Sequence, residues 1–198
     1  MSTFPQHLPG IVPFAHALLG SAVSEGCIAV DATAGNGHDT ALLAQLVGDS
    51  GHVYAFDIQP TAIARTQQRL AQQHLGHRAT LLCTGHEHLL EHVPAGIQAI
   101  IFNLGWLPGS DKSLATLPET TLIALNSALK LLNLHGILVL VLYQGHTGAH
   151  LECEAVENWL QSLNHLEWRS VRYQLAYRSD APAPYVLALE RVEPVKPS

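Results

Sequence analysis

The chain has 198 residues, 47% apolar and 13% charged, a balance that fits one globular domain and excludes a fibrous rod or a disordered tail. Sixteen acids against ten bases give a net charge of −6 with histidines neutral, the wrong sign for a protein that coats nucleic acid without sequence preference. The thirteen histidines leave room for local positive charge near pH ~6. A chain of this length needs no disulfide or structural metal to build a core. Its three scattered cysteines, Cys27, Cys83 and Cys153, form no disulfide framework and no Cys-x-x-Cys site, which points to a reducing, cytoplasmic setting. The N-terminal MSTFPQHLPGIVPF has no basic segment ahead of an apolar run, and no apolar stretch reaches the ~18 residues a membrane span requires.

The apolar run Cys27 to Val30, closed by Asp31, reads as a buried strand feeding a loop of small residues. A helix from Thr40 follows, with Leu42, Leu43, Leu46 and Val47 on one face and Gly48 as its stop. His52 to Phe56 is a second strand ending at Asp57, Thr61 to His74 a helix, and Ala79 to Cys83 a third strand. A short helix over Glu87 to His92 precedes a fourth strand, Ile97 to Phe102. Thr116 to Glu119 has the capping-box pattern with Pro118 near the helix start, and this helix is expected to continue through Leu132 to Gly136. Ile137 to Leu142 is apolar throughout, as a central parallel strand buried on both faces should be. A last helix carries Leu151, Ala155, Trp159 and Leu163, and two strands without a helix between them, Glu167 to Ala176 and Pro184 to Glu190, close the chain.

Alternation of strand and helix through five strands predicts an α/β, doubly wound, mostly parallel sheet with right-handed crossovers. The helix-free final pair brings the count to seven strands and predicts one antiparallel strand near the C-terminal end. A ligand should bind beyond the carboxyl ends of the strands, at the switch point beside the first.

The strongest motif, Asp31-Ala-Thr-Ala-Gly35-Asn-Gly37-His-Asp-Thr40, lies between a strand and a helix. Its glycines let backbone approach a ligand, and the helix start offers free N–H groups. Asp57, at the end of the second strand, is placed to accept hydrogen bonds from ribose hydroxyls. A dinucleotide dehydrogenase would favour glycine or alanine at position 40; threonine there, with an acid ahead of the loop, fits a binder of S-adenosylmethionine (SAM). The expected cofactor residues are Asp31, Thr33, Gly35, Asn36, Gly37, His38, Asp39, Thr40, Asp57, Ile58, Gln59, His86, Glu87 and Asn103.

Asn103-Leu-Gly-Trp-Leu-Pro-Gly109 follows the fourth strand, where amino-group methyltransferases carry an Asn/Asp-Pro-Pro-aromatic loop whose amide oxygen aims the target amine. Asn103, Tyr143 and His146 are the expected catalytic residues. Trp106, Pro108, Asp111, Lys112 and His146 are the expected substrate contacts, with Trp106 stacking on a base. Asp111 and Lys112 read equally well as a solvated pair, and His146 as a polar loop residue. His88 and His92 share a helical face in an H-x-x-E-H pattern, the remote alternative of a zinc hydrolase, but no obligatory metal is expected. Arg169, Arg172 and Arg178 interleave with Trp168, Tyr173 and Tyr177, a pattern that strand alternation explains without an RNA-binding edge.

Taken together these stretches resemble the small bacterial class I methyltransferases of the YtqB/MnmM type, once labelled rRNA methylases. The matching segments are Val30 to Ala44, Gly51 to Ile63, Phe102 to Lys112, Thr120-Thr121, and Tyr143 to Glu152. The chain departs from the pattern at Trp106, where tyrosine is usual, at Ala149, where a glycine is usual, and in the turn Arg178 to Asp180. The resemblance implies a Rossmann-like class I methyltransferase using SAM. It further implies methylation of the exocyclic amine of wobble 5-aminomethyl-2-thiouridine, with the tRNA anticodon region as partner and the protein a monomer or homodimer. Methylation of rRNA or a small amine, and a catalytically silent SAM-binding module, are the alternatives.

Overall fold

The computed structural model describes residues 8–105, 116–144, 149–176 and 183–194. In chain order the elements are α1 (Ile11–Ala22), β1 (Ile28–Asp31), α2 (His38–Leu46), β2 (His52–Phe56), α3 (Pro60–Gln72), β3 (Ala79–Leu82), α4 (Leu89–His92), β4 (Ile97–Leu104), α5 (Pro118–Leu131), β5 (Leu132–Leu142), α6 (Ala149–Gln161), β6 (Trp168–Gln174) and β7 (Tyr185–Arg191). Short 3-10 turns at Gly76–Arg78 and His86–His88 precede β3 and α4.

The seven strands form one sheet in the order β3-β2-β1-β4-β5-β7-β6. All neighbouring pairs from β3 across to β5 are parallel, and β7 inserts antiparallel between β5 and β6. The sequence expectation of a doubly wound sheet with one reversed strand therefore holds. The switch point lies between β1 and β4, whose ends carry Asp31 and Asn103.

Leu138 to Leu142 are wholly buried because helices cover both faces of the sheet. One layer packs Phe56, Phe102, Leu125, Leu140 and Trp159 together; the other packs Leu19, Leu43, Val53, Leu70 and Val141.

One element goes beyond the sequence reading and two local expectations fail, the latter because long-range contacts override a local pattern. First, α1 has no counterpart in the sequence reading, although Ile11, Ala15 and Leu19 are buried at helical spacing. Pro13 sits in its first turn, where a missing N–H costs nothing. The helix is tied down by Phe14 stacked on Tyr173, with ring centroids 4.0 Å apart, and by the Tyr173 hydroxyl donating to Pro9 O at 2.6 Å.

Second, α5 ends at Leu131, not at Gly136. Leu132 pairs with Ile97, and the chain bulges before Ile137 resumes the ladder opposite Ala99. Asn133 Nδ2 donating to Gly96 O (2.9 Å) and Gln98 Nε2 donating to His135 O (3.2 Å) hold this bulge in place of a further helical turn. Third, the capping box does not form. The N-cap of α5 is Leu117, and the Thr116 hydroxyl is engaged elsewhere.

Candidate active site

A cleft of about 490 Å³ opens at the carboxyl ends of β1, β2, β3 and β4, a volume within the range of small-molecule sites. The loop after β1 forms its floor. Gly37 caps α2 in a left-handed conformation, and a Cβ there would stand 2.8 Å from the Cα of Thr66, so only glycine lets the loop lie against α3. From α3, Arg69 Nε donates to Asn36 O at 2.7 Å and Arg65 reaches the Asn36 side chain at 3.3 Å, bracing the loop from outside.

Asp57 organises the loop from the opposite side. Its Oδ2 accepts from Gly35 N and its Oδ1 from Gln59 N, both at 2.9 Å. Each oxygen keeps a second lone pair for a ligand hydroxyl.

Asp31 has a different place from the one the sequence suggested. It is fully buried behind the cleft wall, accepting from Thr40 Oγ1 at 2.5 Å and from Thr33 N at 3.1 Å. Burial, reinforced by the nearby Asp39 carboxylate, pushes its pKa up to about 7. Thr33, Gly35, Asn36, His38, Asp39, Asp57, Ile58, Gln59, His86, Glu87, Asn103 and Tyr143 line the cleft; Asp31, Gly37 and Thr40 support it from behind. Trp106, Pro108, Asp111, Lys112 and His146 lie outside the described residues, as do Tyr177 and Arg178.

His86 tests whether an adenosyl group fits. Its Nδ1 faces Ala32 O at 3.3 Å, a contact that fixes the proton on Nδ1 and makes Nε2 an acceptor. Burial lowers its pKa, so the ring is neutral. Nε2 is the one buried side-chain nitrogen or oxygen among the described residues that has no hydrogen-bond partner. Beside a cleft with a ribose-ready carboxylate, this orphan acceptor matches an exocyclic amine.

At the opposite end stand Asn103 and Asp39. Asn103 Nδ2 donates to Asp39 Oδ2, and Asn103 N donates to Thr33 Oγ1 at 2.7 Å. The other carboxylate oxygen, Asp39 Oδ1, is 2.5 Å from His16 Nε2 on α1. Because an ionised carboxylate only accepts, the amide must turn its nitrogen to Asp39, which leaves Oδ1 of Asn103 as an acceptor for another group. Tyr143 is partly buried, and burial together with the Asp39 charge raises its pKa, so at neutral pH it is a phenol rather than a base.

Glu152, on the first turn of α6, is 3% exposed and accepts from the hydroxyls of Thr116 and Thr121, each at 2.7 Å. Thr116 Oγ1 in turn accepts from Gly105 N at 3.0 Å, and Thr116 N donates to Gly105 O at 3.0 Å. Gly105 and Thr116 are thus pinned to each other and, through Thr116, to Glu152.

Sequence reading missed His16, Glu152 and the cleft residues Val12, Thr84, Gly85, Gly105, Thr116, Leu117 and Thr120. The buried spacing of α1 was the one local signal for His16. The H-x-x-E-H run resolves into ordinary surface contacts: His88 Nδ1 pairs with Glu91 at 2.7 Å, and the His92 ring lies 6.1 Å from that of Phe56. Among the described residues no three His, Cys, Asp or Glu side chains are grouped to hold a metal, and no helix is long and apolar enough to cross a membrane. Arg169 pairs with Glu190 at 3.3 Å, while Arg172 pairs with Glu157 at 2.5 Å and lies 4.2 Å over the Tyr185 ring.

The fold and the cleft share the architecture of the class I methyltransferases. Residues 53–190 match the family described as "Putative rRNA methylase", and the chain belongs to that family. It is 37% identical over 179 residues to a chloroplastic tRNA (mnm(5)s(2)U34)-methyltransferase of Arabidopsis thaliana, covering 85% of this chain and 65% of that longer protein. A "putative rRNA-methylase" from Clostridium thermocellum superposes with a TM-score of 0.91 at 36% identity, over 94% of this chain and all of that one. A "putative methyltransferase" from Streptococcus mutans, solved in complex with SAH, superposes with a TM-score of 0.86 at 32% identity, over 94% of this chain and all of that one.

Proposed function

We propose that this chain methylates the exocyclic amine of 5-aminomethyl-2-thiouridine at the tRNA wobble position, giving the 5-methylaminomethyl nucleoside. The observation that carries the reading is the amide of Asn103, turned by Asp39 so that its oxygen is the acceptor at the end of β4. The name of the Arabidopsis relative supports the nucleoside, and the family supports RNA.

Bound SAM supplies an electrophilic methyl on a sulfonium, which departs as a neutral thioether. In this reading Asp57 and Gln59 take the ribose, His86 the adenine amine and the loop from Thr33 to Asp39 the amino-acid end, a division supported by their sharing one cleft. Asn103 Oδ1 accepts a hydrogen bond from the target amine and points its lone pair along the line of transfer, a positioning effect rather than proton removal. A neutral amide suits this place because a carboxylate in direct contact would stabilise the unreactive ammonium. Tyr143, held as a phenol, relays the released proton to solvent instead of taking it outright. Trp106 stacks on the flipped base, a contact worth ~1–3 kcal/mol.

The test uses RNA from a strain lacking this gene. Purified protein with SAM is added separately to total tRNA and to ribosomal RNA, and nucleosides are read by mass spectrometry. Conversion of 5-aminomethyl-2-thiouridine in the tRNA arm supports the reading. A methylated nucleoside confined to the ribosomal arm, or SAM binding without product in either, refutes it.

A further inference from the structure

We propose that His16 is a positioning residue for methyl transfer, acting through Asp39 on the amide of Asn103. The inference rests on the reading of Asn103 as the group that orients the acceptor amine.

The three side chains form a chain of contacts across three elements. His16 comes from α1, Asp39 from the first turn of α2, and Asn103 from the end of β4. Asp39 is 8% exposed and lines the cleft. With one oxygen on His16 Nε2 and the other on Asn103 Nδ2, both ends of its carboxylate are fixed. A carboxylate held at one oxygen alone turns about its last torsion, whose preferences are broad, and would carry the Asn103 amide with it. Held at both, it sets the plane of that amide and the direction in which Oδ1 presents its lone pairs.

The anchor at the far end is rigid. Ile11, Ala15 and Leu19 bury the inner face of α1, and the Phe14–Tyr173 stack pins its start. The His16 side chain is itself about one-third exposed, so it is not there to fill the core. What it does contact is the one carboxylate that the cleft asparagine touches. No transfer of charge or atoms is required of it; its part is geometric, in the way that outer ligands aim the groups that do chemistry.

The experiment compares His16→Ala, His16→Gln, Asn103→Ala and the double variant His16→Ala/Asn103→Ala. Glutamine places an amide nitrogen close to where histidine places Nε2 and can still donate to Asp39. The first readout needs no substrate: the side-chain amide resonances of Asn103 in free protein, assigned by their loss in Asn103→Ala. They should shift and exchange faster in His16→Ala and return toward wild type in His16→Gln. The second is single-turnover methylation at saturating SAM. His16→Ala should be slower by about tenfold to a hundredfold, as a misplacement of this kind costs. Affinity for S-adenosylhomocysteine should stay within about twofold, His16→Gln should recover most of the rate, and the double variant should be no slower than Asn103→Ala alone.

An unchanged Asn103 amide in His16→Ala overturns the proposal. So does a loss shared equally by His16→Ala and His16→Gln, or one that follows melting temperature and cofactor affinity, because His16 would then be a staple between α1 and α2. A normal rate in His16→Ala beside a crippled Asn103→Ala removes His16 alone, whereas a normal rate in Asn103→Ala removes the reading beneath it.

Discussion

The two ends of the cleft are built in different ways. At the end proposed for the cofactor, backbone groups of the loops after β1 and β2 converge on Asp57, and the remaining props of the loop, Arg65, Thr66 and Arg69, come from α3, the next helix along the chain. At the acceptor end, each functional position depends on a partner far away in the chain: Asn103 on Asp39, Asp39 on His16, and Gly105 and Thr116 on Glu152. A site held by local backbone can be read from spacing and tolerates change elsewhere. A site held by distant side chains is exposed to substitutions that touch no ligand.

Asn103→Ala should cut the deepest. It removes the acceptor that aims the amine and should lower turnover by about a hundredfold to a thousandfold, equivalent to roughly 3–4 kcal/mol, with calorimetric affinity for S-adenosylhomocysteine within about twofold. Equal losses in both quantities would erase the distinction between the two ends.

Glu152→Ala comes next and acts on stability. It strips the buried Thr121 hydroxyl and the partly buried Thr116 hydroxyl of their acceptor, at about 2–4 kcal/mol in all, and should lower the melting temperature by roughly 5–15 °C. Turnover measured well below the transition should fall as well, since the residues on either side of the Asn103 loop lose their anchor. A full rate with reduced stability would make Glu152 a structural residue only.

Asp57→Ala reverses the Asn103 pattern: cofactor affinity falls by about ten- to a hundredfold through the loss of charge-assisted hydrogen bonds worth roughly 1.5–3 kcal/mol. The rate at saturating SAM should be nearly retained.

Asp31 gives the smallest effect per step, one read along the pH axis. Its pKa is raised to about 7 in the fold from an ordinary carboxyl value near 4, so the folded protein holds a proton the unfolded chain has released. Stability should therefore fall as pH rises from about 4 to 7, by up to about 1.4 kcal/mol per pH unit, and level off above. Urea titrations at several pH values should show that slope reduced in Asp31→Asn by the part Asp31 supplies. A slope unchanged in the variant would mean that Asp31 is ionised throughout.

The same contrast explains what was legible in the sequence. The doubly wound parallel class, the reversed strand and the loop from Asp31 to Thr40 follow from apolar runs, glycines and a carboxylate at the right interval, all of which are local. The capping box at Thr116 was misleading because its hydroxyl is drawn to Glu152, thirty-six positions on. The role of His16 was invisible because a helix containing proline and glycine, Ile11 to Ala22, carries few cues besides three buried positions. Asp31 was read as a ligand contact because sequence locates an acid at a strand end without telling whether it faces the cleft or the core.

The most direct test of the account follows a deuterated methyl group from SAM into tRNA that carries 5-aminomethyl-2-thiouridine, in a single turnover, with fragmentation of the product nucleoside locating the label. The account predicts the label on the exocyclic nitrogen of the wobble nucleoside, at a rate that collapses in Asn103→Ala. Label on a ribose or a ring atom, or none while S-adenosylhomocysteine binds normally, would contradict it.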